Sequence, residues 1–173
     1  MYKTKGVYEL VEACSRINDV NLRIVGKYTD EVKDELVQIS SRRPGDWLQL
    51  VGEVDHDNVL NEFQTSDMFV FPSYTEGFPY VILEAMASGI PIISSGVGAI
   101  PEMLNGGKVE CGIIIPPQDT NAVYDAICSL INNNNRKAEL GINAAKRVNE
   151  MYSMPVVWNQ LNKIWKETYE HNK

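Results

Sequence analysis

Apolar residues along this chain fall alternately into helical stripes and short unbroken runs. Val7, Leu10, Val11, Cys14 and Ile17 recur at helical spacing. Residues 22–26 read as a short strand, and Val32, Leu36 and Ile39 mark a helix beyond Asp30. Residues 48–51 give a second strand, ended by Gly52, and Val59, Leu60 and Phe63 predict a short helix. A third strand over residues 68–71 is stopped by Pro72 and Ser73 and leads to a helix through Leu83 and Met86. Residues 91–95, with a turn at Gly96 and Gly98, and residues 113–115 are the remaining strands. Asp119 is placed to cap a helix with Val123, Ile127, Leu130 and Ile131 on one face. The asparagine run at 132–135 reads as a solvated loop. Two helices close the chain, the last displaying Val157, Leu161, Ile164 and Trp165. Such alternation predicts an α/β fold with a doubly wound, mostly parallel sheet, in a single domain spanning residues 1–173.

The stretch between the third and fourth strands carries the chemistry. Its loop holds Glu76, Gly77, Phe78 and Pro79, and the following helix carries Glu84, eight positions after the first acid. A parallel strand feeding a helix leaves its loop at the carboxyl edge of the sheet, where α/β proteins place their ligands. The first turn of the helix has unpaired amides, and its dipole favours an anion. Gly77 lets backbone approach a ligand without a Cβ in the way, and Pro79 suits a first helical turn because its missing N–H would be unpaired there. Glu84, low on the helix, can accept hydrogen bonds from vicinal hydroxyls of a ribose or hexose. Glu76 is placed to reach the other end of the same ligand. Either acid alone also reads as an ordinary surface charge.

Composition narrows the partners. A chain of 173 residues can bury roughly 70 per cent of its unfolded surface. The net charge of −7, without a basic cluster, disfavours nucleic-acid binding through phosphate neutralisation. No apolar run reaches membrane-spanning length and no signal-peptide core opens the chain, so a cytoplasmic location is expected. Cys14, Cys111 and Cys128 sit among apolar residues, which points to burial rather than a disulfide or metal site. His56 lies between Asp55 and Asp57, but three adjacent residues cannot converge on one ion, and a turn into the next helix accounts for them. His171 is expected in a fraying tail.

The segment EGFPYVILEAMASGIPII resembles the nucleotide-sugar site of family 4 retaining glycosyltransferases, the "group 1" class of two-domain GT-B enzymes. Their pattern is close to EGFxxVxLEAMAxGxPVI. The resemblance takes in KGVYELVEAC, LRIVG, WLQLVGEV, GIIIPPQDTNAVYDAICSLI and the closing NEMYSMPVVWNQLNKIW, and so covers the C-terminal, donor-binding domain. It implies a Rossmann-like half of a GT-B fold in which Glu76 contacts the transferred sugar near the reacting centre. It further implies that Gly77 and Phe78 hold sugar and diphosphate through backbone amides. Pro79 stands where a glycine is common, and Glu84 matches the acid that binds ribose hydroxyls. Lys5 aligns with a phosphate-contacting lysine and Val54 with a position near the base; a solvated lysine and a core valine are the plain alternatives. The family's domain normally opens with a further strand ending in Gly-Arg, expected to be missing here, which would leave two unpaired strand edges.

As the resemblance implies, the chain binds a nucleotide-diphosphate sugar and, with an absent N-terminal acceptor domain, transfers the hexose with retention in glycan or polysaccharide synthesis. No metal and no cofactor are expected. Any contact with a membrane surface would run through the missing domain, and self-association is expected of the terminal helix. A non-catalytic nucleotide-binding or interaction module and a nucleotide-sugar epimerase are the rival readings.

Overall fold

Five short strands alternate with helices in the computed structural model, which describes residues 3–107 and 109–171. The strands are β1 (Leu22–Val25), β2 (Leu48–Gly52), β3 (Phe69–Phe71), β4 (Ile92–Ser95) and β5 (Ile113–Ile115). A 3-10 turn, Lys3–Lys5, leads into α1 (Val7–Cys14), and α2 (Asp30–Ser40) and α3 (His56–Thr65) follow β1 and β2. Beyond β3 come α4 (Tyr80–Ser88), α5 (Ile100–Asn105), α6 (Thr120–Ile131), α7 (Asn134–Met151) and α8 (Met154–His171).

Every strand pair is parallel, as the alternation predicts. The strands nevertheless form two ladders, β1-β2 and β3-β4-β5, rather than one continuous sheet. β1, β2, β3 and β5 each have a single hydrogen-bonded neighbour among the described residues. One core still spans both ladders, because Ile24 of β1 clusters with Ile93 and Ile115 beneath α1, α2 and α6. The two-residue period sends Phe69, Phe71, Ile92 and Ile114 to the opposite face, against Phe63 of α3 and side chains of α4, α5 and α7. Helices on both faces make the sheet doubly wound.

Side-chain caps begin four of the helices. Thr29, Asp55, Asp119 and Asn133 accept from the amides of Val32, Asn58, Ala122 and Arg136. The asparagine run is therefore not simply a loop, since Asn133 caps α7 and Asn134 begins it. α5 has no counterpart in the sequence reading; six residues are too few to display a period. Cys14 and Cys111 are buried, but Cys128 is exposed, contrary to expectation. It lies on α6 away from the buried stripe of Val123, Ile127 and Leu130.

α1 is anchored at its far end by Arg43. This buried guanidinium donates to the carbonyls of Cys14, Ile17 and Val20 and stacks 4.1 Å from the Trp47 ring. α8 contrasts with the other helices. Trp158, Leu161, Ile164, Trp165 and Tyr169 all remain exposed along it, as its apolar stripe led us to expect. Among the described residues no helix is long and apolar enough to cross a membrane. The side chain of His171 lies outside the described residues.

Candidate functional site

The loops that follow β2, β3 and β4 leave the carboxyl ends of parallel strands; Val54, Glu76, Gly77, Phe78 and Pro79 sit on the first two, Glu84 lies in α4, and Lys5 ends the opening 3-10 turn. Pro72 has no N–H, so β3 ends at Phe71 and residues 72–79 run free of the ladder to α4. The start of the chain is folded onto this loop. The Tyr74 amide donates to the Thr4 carbonyl at 2.8 Å. Gly6, at φ +69, lies so close that a Cβ there would stand 2.0 Å from the Pro72 carbonyl oxygen. Lys5 thereby reaches Glu76, and its Nζ donates to Oε1 at 2.6 Å. Ser73 Oγ donates to the same oxygen, also at 2.6 Å. The Glu76 side chain is only 13% exposed, while that of Lys5 is 41% exposed.

Gly77 and Phe78 lie on the open side of the loop. A Cβ at Gly77 would meet no protein atom within 4 Å, so its smallness serves no internal packing. Its carbonyl accepts from the Ala99 amide at 2.9 Å, which ties the loop to the turn after β4. Phe78 is 46% exposed and sits edge-on to Tyr80 and Tyr152, each at 6.0 Å between centroids. Pro79 is the residue before α4 rather than a member of its first turn, with ψ 109 still extended. Glu84 is half-buried one turn further on and faces His56, whose Nδ1 is 3.8 Å from its Oε1. From sequence alone His56 belongs to a turn leading into a helix. It is the first residue of α3, beside the capping Asp55, yet its imidazole joins the second acid. Val54 is half-buried just ahead of it, on the segment between β2 and α3.

The structure thus brings Lys5 together with Glu76 and, separately, His56 with Glu84, while Val54 lies two residues from the second pair. Sequence reasoning missed Ser73 and His56. Ser73 had a signal, a hydroxyl three residues before the first acid; the approach of His56 to Glu84 had none.

α1, α4 and α5 begin without a side-chain cap, unlike α2, α3, α6 and α7, and the first two start beside residues 72–79, where their unpaired amides and dipoles oppose the charge of Glu9 and Glu76. Behind the loop, Tyr74 donates to Glu9 at 2.5 Å, and Tyr8 donates to Glu35. Burial and these carboxylates push both phenols up to about 12, so they hold their protons. A cavity of about 460 Å³ lies there between Tyr8, Glu9, Glu35 and Tyr74. Neither Glu76 nor Glu84 lines it.

Residues 1–147 match the family described as glycosyl transferases group 1. The chain belongs to that family. Among its curated relatives is the capsular polysaccharide biosynthesis glycosyltransferase CapM of Staphylococcus aureus, 29% identical over 170 residues, 94% of this chain and 43% of CapM. The lipopolysaccharide core biosynthesis mannosyltransferase LpsB of Rhizobium meliloti is 35% identical over 109 residues, 63% of this chain and 30% of LpsB. Sucrose-phosphate synthase of Thermosynechococcus elongatus superposes with a TM-score of 0.84 at 28% identity, over 98% of this chain and 43% of that one. Anabaena HepE, solved with UDP and glucose, has the same fold at a TM-score of 0.83 and 20% identity, over 96% of this chain and 46% of HepE. This glycosyltransferase chain therefore spans less than half the length of these relatives, and its fold is that of a Rossmann-like half of a GT-B enzyme.

Proposed function

We propose that this chain is the donor-binding half of a retaining hexosyltransferase that takes a nucleotide-diphosphate sugar, with the acceptor held by an N-terminal domain. The observation that carries the reading is the contact of Lys5 with Glu76, 2.6 Å, at the uncapped start of α4. The anomeric carbon of a sugar donor is bonded directly to its phosphate. A cation for the phosphate and a carboxylate for the sugar would therefore be neighbours, and the contact of Lys5 with Glu76 supports these roles. HepE, of the same fold, has been solved with UDP and glucose, which supports a ligand of this class.

Roles follow from charge and position. Lys5 and the first turns of α1 and α4 would stabilise the departing diphosphate while positive charge develops at the anomeric carbon. No metal is needed where helix termini and an ammonium meet that charge. Backbone amides at Gly77 and Phe78 would hold sugar and phosphate, and Pro79 offers none. Glu76 would position the hexose. Glu84 would accept from the ribose hydroxyls, with the base toward His56 and Val54. The isolated chain should bind nucleotide diphosphate weakly and transfer no sugar; in the whole protein, reaction would take place in the cytoplasm.

Calorimetry on two variants tests the assignment. Glu84→Ala should weaken a bare nucleotide diphosphate and its sugar conjugate alike, by about 1.5–3 kcal/mol, or roughly ten- to a hundredfold. Glu76→Ala should weaken only the sugar-bearing ligand. Equal harm to the bare nucleotide from both variants would overturn the roles; no effect from either would move the site elsewhere.

A further inference from the structure

We infer that Ser73 is a positioning residue for Glu76, held in turn by Ser95, and that this pair keeps the acid aimed at the sugar when Lys5 turns to phosphate; the inference rests on the site proposed above. β4 is sealed along its whole length, yet two of its four residues are serines, Ser94 and Ser95. A hydroxyl in such a strand costs stability unless it finds a partner. Both partners lie where Pro72 interrupts β3. Ser94 Oγ donates to the Phe71 carbonyl at 2.8 Å, and Ser95 Oγ donates to the Ser73 carbonyl at 2.5 Å. Side chains of β4 thus hold the backbone on both sides of Pro72, Ser94 at the last residue of β3 and Ser95 at Ser73.

Ser73 itself is fully buried. Its hydroxyl has one proton and three neighbouring oxygens: Glu76 Oε1 at 2.6 Å, the Thr4 carbonyl at 3.2 Å and the Thr75 carbonyl at 3.4 Å. The nearest is the charged one, so the proton belongs to the carboxylate. Oε1 is then occupied by Ser73 and Lys5, and no partner among the described residues takes Oε2. A carboxylate pinned by one oxygen presents the other in a set direction. The two donors differ in permanence. Lys5 is a half-exposed ammonium that must share its protons with any bound diphosphate, whereas Ser73 is sealed and has no better acceptor within reach. The backbone beneath is held independently, by the Ala99 amide on the Gly77 carbonyl.

The test uses the full chain and two ligand pairs, UDP with UDP-glucose and GDP with GDP-mannose, measured by calorimetry. Ser73→Ala should weaken the sugar-bearing member of the bound pair by about three- to tenfold and leave the bare nucleotide within about twofold. Added to Glu76→Ala, it should cost nothing more, because its target is gone. Ser73→Thr, which keeps the hydroxyl, should restore the discrimination. Equal loss for nucleotide and nucleotide sugar, or the same loss in the Glu76→Ala background, would mean that Ser73 only supports the fold and would overturn the proposal. If Glu76→Ala itself fails to separate the two ligands, or no pair binds, the site reading falls and this inference with it. Thermal melting of each variant identifies a folding failure; should Ser73→Ala not fold, Ser95→Ala must give the same discrimination, and its absence overturns the proposal equally.

Discussion

At Gly98 the backbone holds φ +56, and a Cβ would stand 2.3 Å from the Glu76 carbonyl oxygen and 2.6 Å from that of Gly77. The acid loop is thus pressed on a residue that has no side chain. Gly98→Ala adds left-handed strain to a backbone clash, about 2–4 kcal/mol together. We expect a lower Tm and weaker binding of a nucleotide sugar, read from melting and calorimetry; a variant with unchanged Tm would show that the turn has room. Protonated groups behind the loop and at the far end of α1 make a second prediction. Tyr8, Tyr74 and Cys14 are raised to about 12 from 10.0, 10.0 and 9.0. Each holds its proton more tightly folded than unfolded. Their contribution to stability is therefore complete below about pH 9 and is lost as pH climbs through about 12. Melts from pH 8 to pH 12 should show stability falling with pH, and Tyr8→Phe and Tyr74→Phe should flatten the fall. A slope unchanged in the double variant would remove the tyrosines from the account.

Between elements, the contact of α4 with α7 turns on two glycines. Gly89 closes α4 in the left-handed conformation, and a Cβ on Gly141, buried in the middle of α7, would lie 2.0 Å from the Gly89 carbonyl oxygen. Helix propensity and packing then give opposite signs. Alanine is better than glycine in a helix by about 1 kcal/mol. Forcing a Cβ into a backbone oxygen pushes α7 off α4 and costs about 1–3 kcal/mol or more. We expect packing to win, with Tm of Gly141→Ala lower by roughly 2–6 °C. A rise in Tm would show that the two helices part easily. Around this contact Ala144 is fully buried with Ile82, Ala85 and Met86 of α4, while Leu140 turns to the opposite core beneath α1 and α6.

At the scale of the whole molecule, α8 presents an uncovered apolar face. Its polar residues face one way and Trp158, Leu161, Ile164 and Trp165 the other, and that second face is exposed. Trp158 and Trp165 meet edge to face at 6.0 Å without further cover, whereas Trp47 is 3% exposed. Iodide should therefore quench emission from two of the three tryptophans, and a fluorescence titration that leaves one quenchable fraction or none would show the stripe covered. Exposed apolar area of this kind favours association, so we expect concentration-dependent oligomers in sedimentation, reduced in Trp158→Lys. A monomer at all concentrations would count against that expectation. Sugar transfer is a property of this scale too. Robust transfer by the 173-residue chain alone would show that the acceptor site is not on another domain.

Local signals made the elements legible. Apolar spacing located all five strands, the Asp119 cap located the start of α6, and the two acids with the glycine between them marked the loop that matters. Such features need only neighbours within a turn or a strand, so one chain of letters contains them. Other features depended on the folded shape. Six residues of α5 were too short for a period, and the split between β1-β2 and β3-β4-β5 follows from pairing rather than propensity. Lys5 and Glu76 are 71 residues apart, joined because the first turn of the chain packs on Pro72 through Gly6. His56 reaches Glu84 only because two strands deliver their loops to the same edge. Ser73 and Ser95 read as polar letters within apolar runs until the fold buries them and leaves each a single purpose. The sequence by itself determined which residues could do the chemistry; the tertiary structure decided which of them meet, since a contact between distant residues depends on how the whole core closes.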